Sequence, residues 1–347
     1  MREPVVILYD NTTPEPGSTL TPFELDTRRA AEAVGEALQS LEIAWRPLEI
    51  HYERLEENLK ELCQVRSSIV FNLCEDIRGQ GIYEVYMTSL LELLGITYTG
   101  SEPIALGLCL DKARSKETLV YHGLQIPHHY VLKDLSQKRP DLSFPLILKP
   151  LHEDGSLGID NRSVIVSEAE LEEKALQLLQ AFHQPVIVEE YIGGREFNVS
   201  LLGEGTPEVL PISEIDYSKL EKGQPHILTH TSKWDETSPD YHKTPAVCPV
   251  TLDRSLEKAL QETALTAFKV LGCRDYARVD FRMRGNQPCI IEVNPNPSIS
   301  PDAGFVRSAD VAGLSYAKLI GKILSFAEKR KTQEKKRRTF EDAYSSL

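Results

Sequence analysis

The 347-residue sequence predicts an α/β protein. Three observations support this fold class: short apolar runs alternate with amphipathic segments, glycines end several of them, and one segment alternates apolar and charged residues with period two. Val5–Tyr9 and Ser68–Asn72 predict buried strands, whereas Asp26–Leu41 and Ile82–Leu94 predict helices, the second ended by Gly95. This alternation indicates a small doubly wound lobe over roughly the first 105 residues.

Four further segments continue the α/β pattern. Leu146–Lys149 and Val186–Glu190 predict strands, and Ser167–Glu170 is a capping box that opens a helix between them. Glu257–Leu271 predicts an amphipathic helix. The polar stretch Asp216–Pro245 has no clear periodicity, so it predicts either a functional lid or disorder.

The composition indicates a soluble globular protein of two or three lobes, with 41% hydrophobic and 26% charged residues. A net charge of −13 argues against nonspecific nucleic-acid binding, and the basic run Lys329–Arg338 predicts a solvated helical tail. No apolar run reaches the roughly 18–20 residues of a membrane span, and no signal peptide is recognisable. The six cysteines form no CxxC pair, which favours free thiols in a reducing cytoplasm.

A hairpin of two strands is predicted from the period-two alternation of apolar and polar residues in Ala277–Met283 and Cys289–Asn294. Arg284–Asn286 supplies the turn signal between them. In the second strand, Ile291 and Val293 are expected to share the core face. The polar face of the hairpin would carry Arg278, Asp280, Arg282, Glu292 and Asn294.

The polar face of this hairpin predicts a metal site. If the hairpin closes around residue 286, Asp280 falls opposite Glu292 and Arg278 falls opposite Asn294, with opposed Cβ atoms roughly 4.5–5.5 Å apart. Two carboxylates that close repel unless a cation lies between them, and oxygen ligands of this kind suit Mg²⁺, with Mn²⁺ as an alternative. A bulge would shift the register, and a solvated sheet face with incidental charges is the alternative interpretation.

Nucleotide-binding candidates occur upstream of the hairpin, although no Walker A loop is present. Lys112, Lys149 and the loop His152–Gly158 could hold phosphates, because glycines let backbone N–H groups approach an anion. Ser156 lies in that loop, which a surface turn would explain equally well. Val186–Glu196 predicts a strand followed by a glycine turn. The backbone donors and acceptors of this strand edge could bind adenine; the alternative is simply an acidic strand end.

At these residues the chain resembles the D-alanine–D-alanine ligase family of ATP-grasp enzymes. The strings that carry the resemblance are Leu93–Ser101, Leu110–Lys116, Leu148–Pro150, Val188–Glu190, Leu271–Cys273, Ala277–Asp280 and Glu292–Asn294. The resemblance covers residues 68–326 and, more weakly, the first lobe. It implies an ATP-grasp fold with a Rossmann-like (pre-ATP-grasp) N-terminal lobe. The implied divisions are residues 1–107, a central lobe 108–192, a C-terminal lobe with the metal site 193–327, and a charged tail 328–347.

The resemblance also implies roles for individual residues. ATP would be bound by Lys112, Lys149, Ser156, Glu189, Glu190, Ile192 and Glu196. The lysines would contact phosphates, the residues from 189 to 192 would form the adenine hinge, and Glu196 would bind the ribose. Mg²⁺ would be held by Asp280, Glu292 and Asn294. Two residues would be catalytic: Arg278 would steady an acyl phosphate, and Lys233 would reach the γ-phosphate from a mobile loop.

The chain departs from the family where the substrates bind. The family's serine and tyrosine near the first substrate's ammonium group correspond to Gly155 and Trp234, and the serine for the second substrate's carboxylate corresponds to Ala303. The family's acidic signature after the first strand is absent, with Glu24 and Asp26 only near its position. The candidate substrate contacts are Trp234, Ser298 and Arg307.

The sequence therefore predicts an ATP-dependent carboxylate–amine ligase that forms an amide bond through an acyl phosphate, with unassigned substrates. Two alternatives stay open: a D-alanine–D-alanine ligase of cell-wall synthesis, and a nucleotide-binding regulator without ligase activity. The expected partners are small-molecule carboxylates and amines, without nucleic acid or membrane. A homodimer in the cytoplasm is the expected state.

Overall fold

The N-terminal part of the chain forms a four-stranded parallel sheet in the order β2-β1-β3-β4. The computed structural model describes residues 3–10, 22–75, 77, 79–235 and 237–345. The elements of this first lobe are β1 (Val5–Asp10), α1 (Pro22–Ser40), β2 (Trp45–Ile50), a 3₁₀ turn (Tyr52–Arg54), α2 (Leu55–Gln64), β3 (Ile69–Asn72), α3 (Ile82–Leu93), β4 (Thr97–Tyr98) and α4 (Pro103–Leu110). The predicted strand–helix alternation is confirmed, although α1 begins earlier than predicted.

The central part of the chain forms an antiparallel sheet in the order β5-β8-β6-β7. Its elements are α5 (Lys112–Tyr121), β5 (His129–Leu132), β6 (Leu146–Pro150), β7 (Val164–Ile165), α6 (Glu168–Phe182) and β8 (Val186–Glu190). The predicted cap is present, since the Ser167 side chain accepts from the Glu170 N–H. Helix α6 buries Leu171, Ala175 and Leu178 against the sheet.

The third sheet is antiparallel, with the order β12-β11-β9-β13-β14 and β10 paired to β9. The elements are β9 (Glu196–Gly203), β10 (Glu208–Val209), β11 (Ser213–Ile215), α7 (His230–Trp234), α8 (Pro239–Lys243), β12 (Ala246–Val247), α9 (Arg254–Val270), β13 (Asp275–Arg284), β14 (Gln287–Asn294), α10 (Gly304–Val311) and α11 (Tyr316–Ser345). The polar stretch Asp216–Pro245 thus contains two short helices. Each sheet falls within one predicted lobe.

The cleft-facing register of the β13–β14 hairpin agrees with the sequence prediction. Arg278 lies opposite Asn294, and Asp280 lies opposite Glu292. The other face of β13 carries the predicted apolar residues, which are buried against α9 in the core of the third sheet. Because a slip of one residue would turn every side chain to the opposite face, this register decides which groups reach the cleft.

Two features together produce this register: a tight turn at Gly285–Asn286 and a β-bulge in β14. From the turn, the ladder runs without a shift to Phe281 opposite Ile290. Ile291 is then the extra residue, beyond which the pairing is displaced by one position. The prediction that Ile291 shares the core face with Val293 is therefore wrong, because the bulge turns Ile291 into the cleft and gives Ile290 the core position.

Helix α11 connects the first and third sheets through a buried ion pair. Arg330 donates to the Asp275 carboxylate at 2.8 Å and to the backbone oxygen of Tyr98 at 2.7 Å. Asp275 also accepts from the backbone N–H of Gly100 at 2.8 Å. The Arg330 side chain is only 14% exposed, so the predicted solvated tail does not begin at residue 328, and α11 continues through that boundary.

Within the described residues, none of the helices combines the length and apolar character needed to cross a bilayer. The six cysteines are free, as the sequence predicted. Four of them are buried: Cys74, Cys109, Cys273 and Cys289.

The turn between β8 and β9 approaches β13 so closely that one position requires glycine. A Cβ atom on Gly194 would lie 2.0 Å from the backbone oxygen of Met283. Because of this close approach, the turn that follows β8 and the predicted adenine hinge packs directly on β13 of the β13–β14 hairpin.

We predict that Gly194→Ala lowers the melting temperature, because the added methyl group overlaps a backbone atom; overpacking of this kind costs about 1–3 kcal/mol. Gly107→Ala, in helix α4, is the matched control. The added Cβ would lie 3.6 Å from Val85, which is an ordinary van der Waals distance. That change should leave stability unchanged or raise it by about 0.5–1 kcal/mol. Equal melting temperatures for the two variants would contradict the prediction.

Candidate active site

The predicted site residues surround one cleft of about 1480 Å³. All of them line it except Lys112, which lies beneath it on α5 and contacts Glu292. The cleft is bounded by the central and third sheets, and it extends past the end of β14 to α1 and α10. The structure thus brings together distant parts of the sequence; Lys112 and Glu292, for example, are 180 positions apart.

The Asp280 carboxylate is held by three neighbours on the floor of the cleft. Arg278 donates to its two oxygens at 2.7 and 2.8 Å. Asn198 and Asn294 donate through their amide groups at 2.8 and 3.2 Å. The guanidinium group of Arg278 thus neutralises Asp280, which reduces the expected repulsion between Asp280 and Glu292.

Glu292 is paired with the ammonium group of Lys112, which also binds Asp154 at 3.0 Å. Burial works to raise the pKa of Glu292, but the attraction of Lys112 outweighs burial and holds that pKa well below its usual range. Burial likewise works to lower the pKa of Lys112, and the attraction of Asp154 and Glu292 raises it above the ordinary value. Lys112 therefore stays charged at neutral pH.

Glu189 lies between two lysines at the base of the predicted adenine hinge. Its carboxylate lies 2.9 Å from the ammonium group of Lys116 and 2.8 Å from that of Lys149. Burial works to raise the pKa of Glu189, yet the two lysines lower it to about 2. Sequence reasoning missed Lys116 as a site residue, although it lies four residues after Lys112 and thus on the same face of α5.

The predicted ribose acid and hinge are also held by internal partners. Glu196 contacts Arg282 and accepts from the Tyr217 hydroxyl at 2.6 Å. Glu190 pairs with Arg284 at 2.6 Å, across the gap between the central and third sheets. Arg282 and Tyr217 were not predicted as site residues, and only the period-two pattern of β13 gave a signal for Arg282.

The glycine loop and the polar stretch meet at the opposite wall of the cleft. Gly155 and Ser156 have φ values of +62° and +63°, so this loop is bent in a conformation that is strained for serine. The Trp234 indole N–H donates to the Gly155 oxygen at 2.8 Å. Lys233 lies over the Trp234 ring at 5.1 Å, and burial lowers the pKa of its ammonium group.

The end of the cleft beyond β14 contains the other substrate candidates. Ser298 donates to the Asp26 carboxylate at 2.9 Å, which ties the loop after β14 to α1. Asp302, in the same loop, lies 3.6 Å from Arg29. Arg307 stands in the first turn of α10 and lines the cleft. Residues 11–21 and the side chain of Glu24 lie outside the described part of the chain.

The protein would supply only some of the ligands of a divalent cation bound at this hairpin. Among the described residues, no three His, Cys, Asp or Glu side chains converge as a metal site. Asp280 and Glu292 face each other across the hairpin, with Asn294 on the same face. Two carboxylates and an amide suit Mg²⁺, which keeps several positions for water and for the phosphates of a bound nucleotide.

The chain is similar to known ligases in both sequence and fold. The family described as D-ala D-ala ligase C-terminus matches residues 125–325. The uncharacterized protein y4sG of Sinorhizobium fredii is 35% identical over 265 residues, or 76% of each chain. The D-alanine–D-alanine ligase of Bordetella petrii is 34% identical over 242 residues, covering 68% of this chain and 70% of its own. The Bacillus anthracis D-alanine–D-alanine ligase complexed with ATP superposes with a TM-score of 0.74 at 22% identity, covering 95% of this chain and 99% of that chain.

Three sheets around one cleft, with this likeness in structure, define the ATP-grasp fold. The chain belongs to the D-alanine–D-alanine ligase family. It is an ATP-dependent carboxylate–amine ligase, so the predicted fold, family and enzyme class are confirmed.

The buried Glu189 carboxylate predicts acid sensitivity. Because its pKa is about 2 in the fold and about 4.5 otherwise, its stabilising contribution is complete above pH 5 and is lost as the pH falls towards 2. We predict that Glu189→Gln lowers the free energy of unfolding at pH 7. Between pH 5 and 2, the wild type should lose about 3 kcal/mol of unfolding free energy that the variant does not lose.

The matched control is Glu172→Gln, which removes an exposed pair with Arg139 at 3.2 Å. Surface pairs of this kind contribute about 0–1 kcal/mol, so this variant should follow the wild type. Urea unfolding at a series of pH values measures both. A wild-type pH dependence in Glu189→Gln would contradict the assignment.

Proposed function

We propose that this ligase joins a carboxylate to an amine through an acyl phosphate, and that its first substrate is not D-alanine. The observation that carries the proposal is the contact between Trp234 and Gly155. It occupies the positions of the tyrosine and serine that the family resemblance places near an ammonium group. The contact offers neither a carboxylate nor a hydroxyl there, and a charge left unpaired in a closed site costs several kcal/mol.

The phosphates of ATP are bound by Lys112 and Lys149, with Ser156 and the glycine loop covering them. Lys233 orients the γ-phosphoryl group, and the stretch around it acts as the lid that excludes water. Asp280, Glu292 and Asn294 would hold Mg²⁺, or Mn²⁺ in its place. When bound, the metal ion supplies charge neutralisation at the transferring phosphoryl group.

Adenine is read by the backbone of Glu190 and Ile192 beside Glu189, and the ribose by Glu196, which would exchange one of its internal partners for the ligand. Arg278 steadies the acyl phosphate and stabilises the oxyanion that forms when the amine attacks. We propose the lobe boundaries at residues 107 and 192 that the sequence predicted, and we assign α11 as a whole to the C-terminal lobe, because it continues through residue 327. A cytoplasmic homodimer is the state proposed for the enzyme.

Asp26 is the proposed contact for the amine substrate. Its carboxylate is oriented by Ser298, four residues after Asn294, and both line the cleft. A carboxylate held in this way binds an ammonium group and can accept its proton. Arg307 suits an anionic group on the same substrate, so an amino acid or a similar molecule fits this end of the cleft.

The substrate proposal predicts that D-alanine is not used. Purified enzyme with ATP and Mg²⁺ is offered pairs of amino acids and dipeptides, and phosphate release and product mass are followed. With D-alanine alone at millimolar concentration we expect no dipeptide at a useful rate. D-alanyl-D-alanine formation on the order of 10 s⁻¹, the rate of an ordinary enzyme on its own substrate, would sink the proposal and support the cell-wall alternative.

With an amine substrate in hand, Asp26→Asn is expected to raise the KM for that amine tenfold or more, since a hydrogen bond to a charged group contributes about 1.5–3 kcal/mol. The KM for ATP should stay within twofold. Glu36→Gln, which changes an exposed acid on the same helix, is the control. Equal effects of both changes on the amine KM would contradict the role of Asp26.

A further inference from the structure

The bulge at Ile291 decides whether the proposed metal ligands face each other. Without it, the tight turn would place Asp280 opposite Ile291, and Glu292 would move towards the core face. A bulge leaves its extra residue outside the ladder. A buried backbone carbonyl in such a place must be paired, or its desolvation destabilises the fold.

Lys116 supplies that partner from helix α5. Its ammonium group donates to the Ile291 oxygen at 2.6 Å and contacts the Glu189 carboxylate at 2.9 Å. The Lys116 side chain is only 3% exposed. Burial lowers the pKa of Lys116, and the nearby Glu189 carboxylate opposes this effect. A buried lysine that reaches both the hinge and the bulge joins two parts of the site that are about 100 residues apart in sequence.

Lys112 contacts the same segment from one turn earlier on α5, but its contact is of a different kind. Lys112 binds the side chain of Glu292, whereas Lys116 binds the backbone of Ile291. In the proposed function, the Lys112–Glu292 ion pair breaks when the metal–nucleotide complex binds. Lys112 then contacts a phosphate, and Glu292 would bind the metal ion. The backbone contact of Lys116 needs no such exchange, so it can hold the hairpin in both states.

We propose that Lys116 is a positioning residue, which fixes the β-bulge at Ile291 and thereby the register at which Glu292 and Asn294 face Asp280. The proposal rests on the metal site of the proposed function. It separates Lys116 from the phosphate-binding lysines, because Lys116 acts through the hairpin backbone and not on the nucleotide. Its loss should weaken metal-dependent binding more than metal-free binding.

The test measures ADP binding by calorimetry with and without Mg²⁺, together with thermal unfolding. Lys116→Met keeps the length of the side chain and removes its charge and its donors. The matched control is Lys174→Met on α6, because Lys174 is also 3% exposed and also has a carboxylate partner, Asp160 at 2.9 Å. Both changes remove a buried lysine from the central lobe, and only one touches the hairpin.

We expect Lys116→Met to raise the Mg²⁺ concentration needed for half-maximal ADP binding at least tenfold. Metal-free ADP affinity should fall by a smaller factor, which reflects the lost contact of Lys116 with Glu189. Lys174→Met should lower the melting temperature without moving the Mg²⁺ requirement. Lys116→Arg, which keeps a charged donor of different shape, should raise that requirement by an intermediate factor. If only the arginine variant folds, a wild-type Mg²⁺ requirement in it overturns the proposal.

Two further outcomes separate the failure of this inference from failure of the proposed function. If wild-type ADP binding depends on Mg²⁺ and Lys116→Met behaves like Lys174→Met, only the positioning role of Lys116 is overturned. If ADP binding by the wild type does not depend on Mg²⁺ or Mn²⁺, the proposed metal site is overturned, and the role of Lys116 falls with it.

Discussion

The buried contact of Glu189 with two lysines is the interaction on which the geometry of the cleft depends. Only 1% of Glu189 is exposed, and a carboxylate in that position without cations would be strongly destabilising. Lys149 comes from β6 and Lys116 from α5, so one carboxylate on β8 fixes both elements. Because α5 also contacts the β13–β14 hairpin, this pairing fixes the distance between the proposed adenine hinge and that hairpin.

The same principle extends through the described part of the cleft, where acidic and basic side chains form ion pairs with one another. The pairs are Asp280 with Arg278, Glu292 with Lys112, Glu196 with Arg282, and Glu190 with Arg284. A ligand that carries both phosphates and a metal ion can replace several of these pairs at once. Binding is then an exchange of ionic partners, which avoids exposing a lone buried charge at any stage.

The sequence predicted the hairpin because its period-two pattern is local, and the core face of β13 leaves little choice of register. It missed the combination of a tight turn with a bulge, since two compensating shifts give the same pairing of Asp280 with Glu292. Lys116 escaped notice because its partners, Glu189 and the Ile291 carbonyl, come from elements distant in sequence. The contact of Trp234 with Gly155 joins the end of the short helix α7 to a loop, and no periodicity in the sequence predicts that the two meet.

Strand β13 arranges the proposed steps of the reaction along a line. Its cleft-facing residues are two positions apart, which is about 6.6–6.8 Å in an extended strand. Arg282 stands at the ribose end, Asp280 at the proposed metal site, and Arg278 at the substrate end opposite Asn294. The departures from the family lie beyond this strand, in the loop of Gly155, in α7, in α1 and at Ala303 before α10. A change in these loops and helices can therefore alter the proposed substrate contacts while β13, with the proposed metal and phosphate contacts, keeps its register.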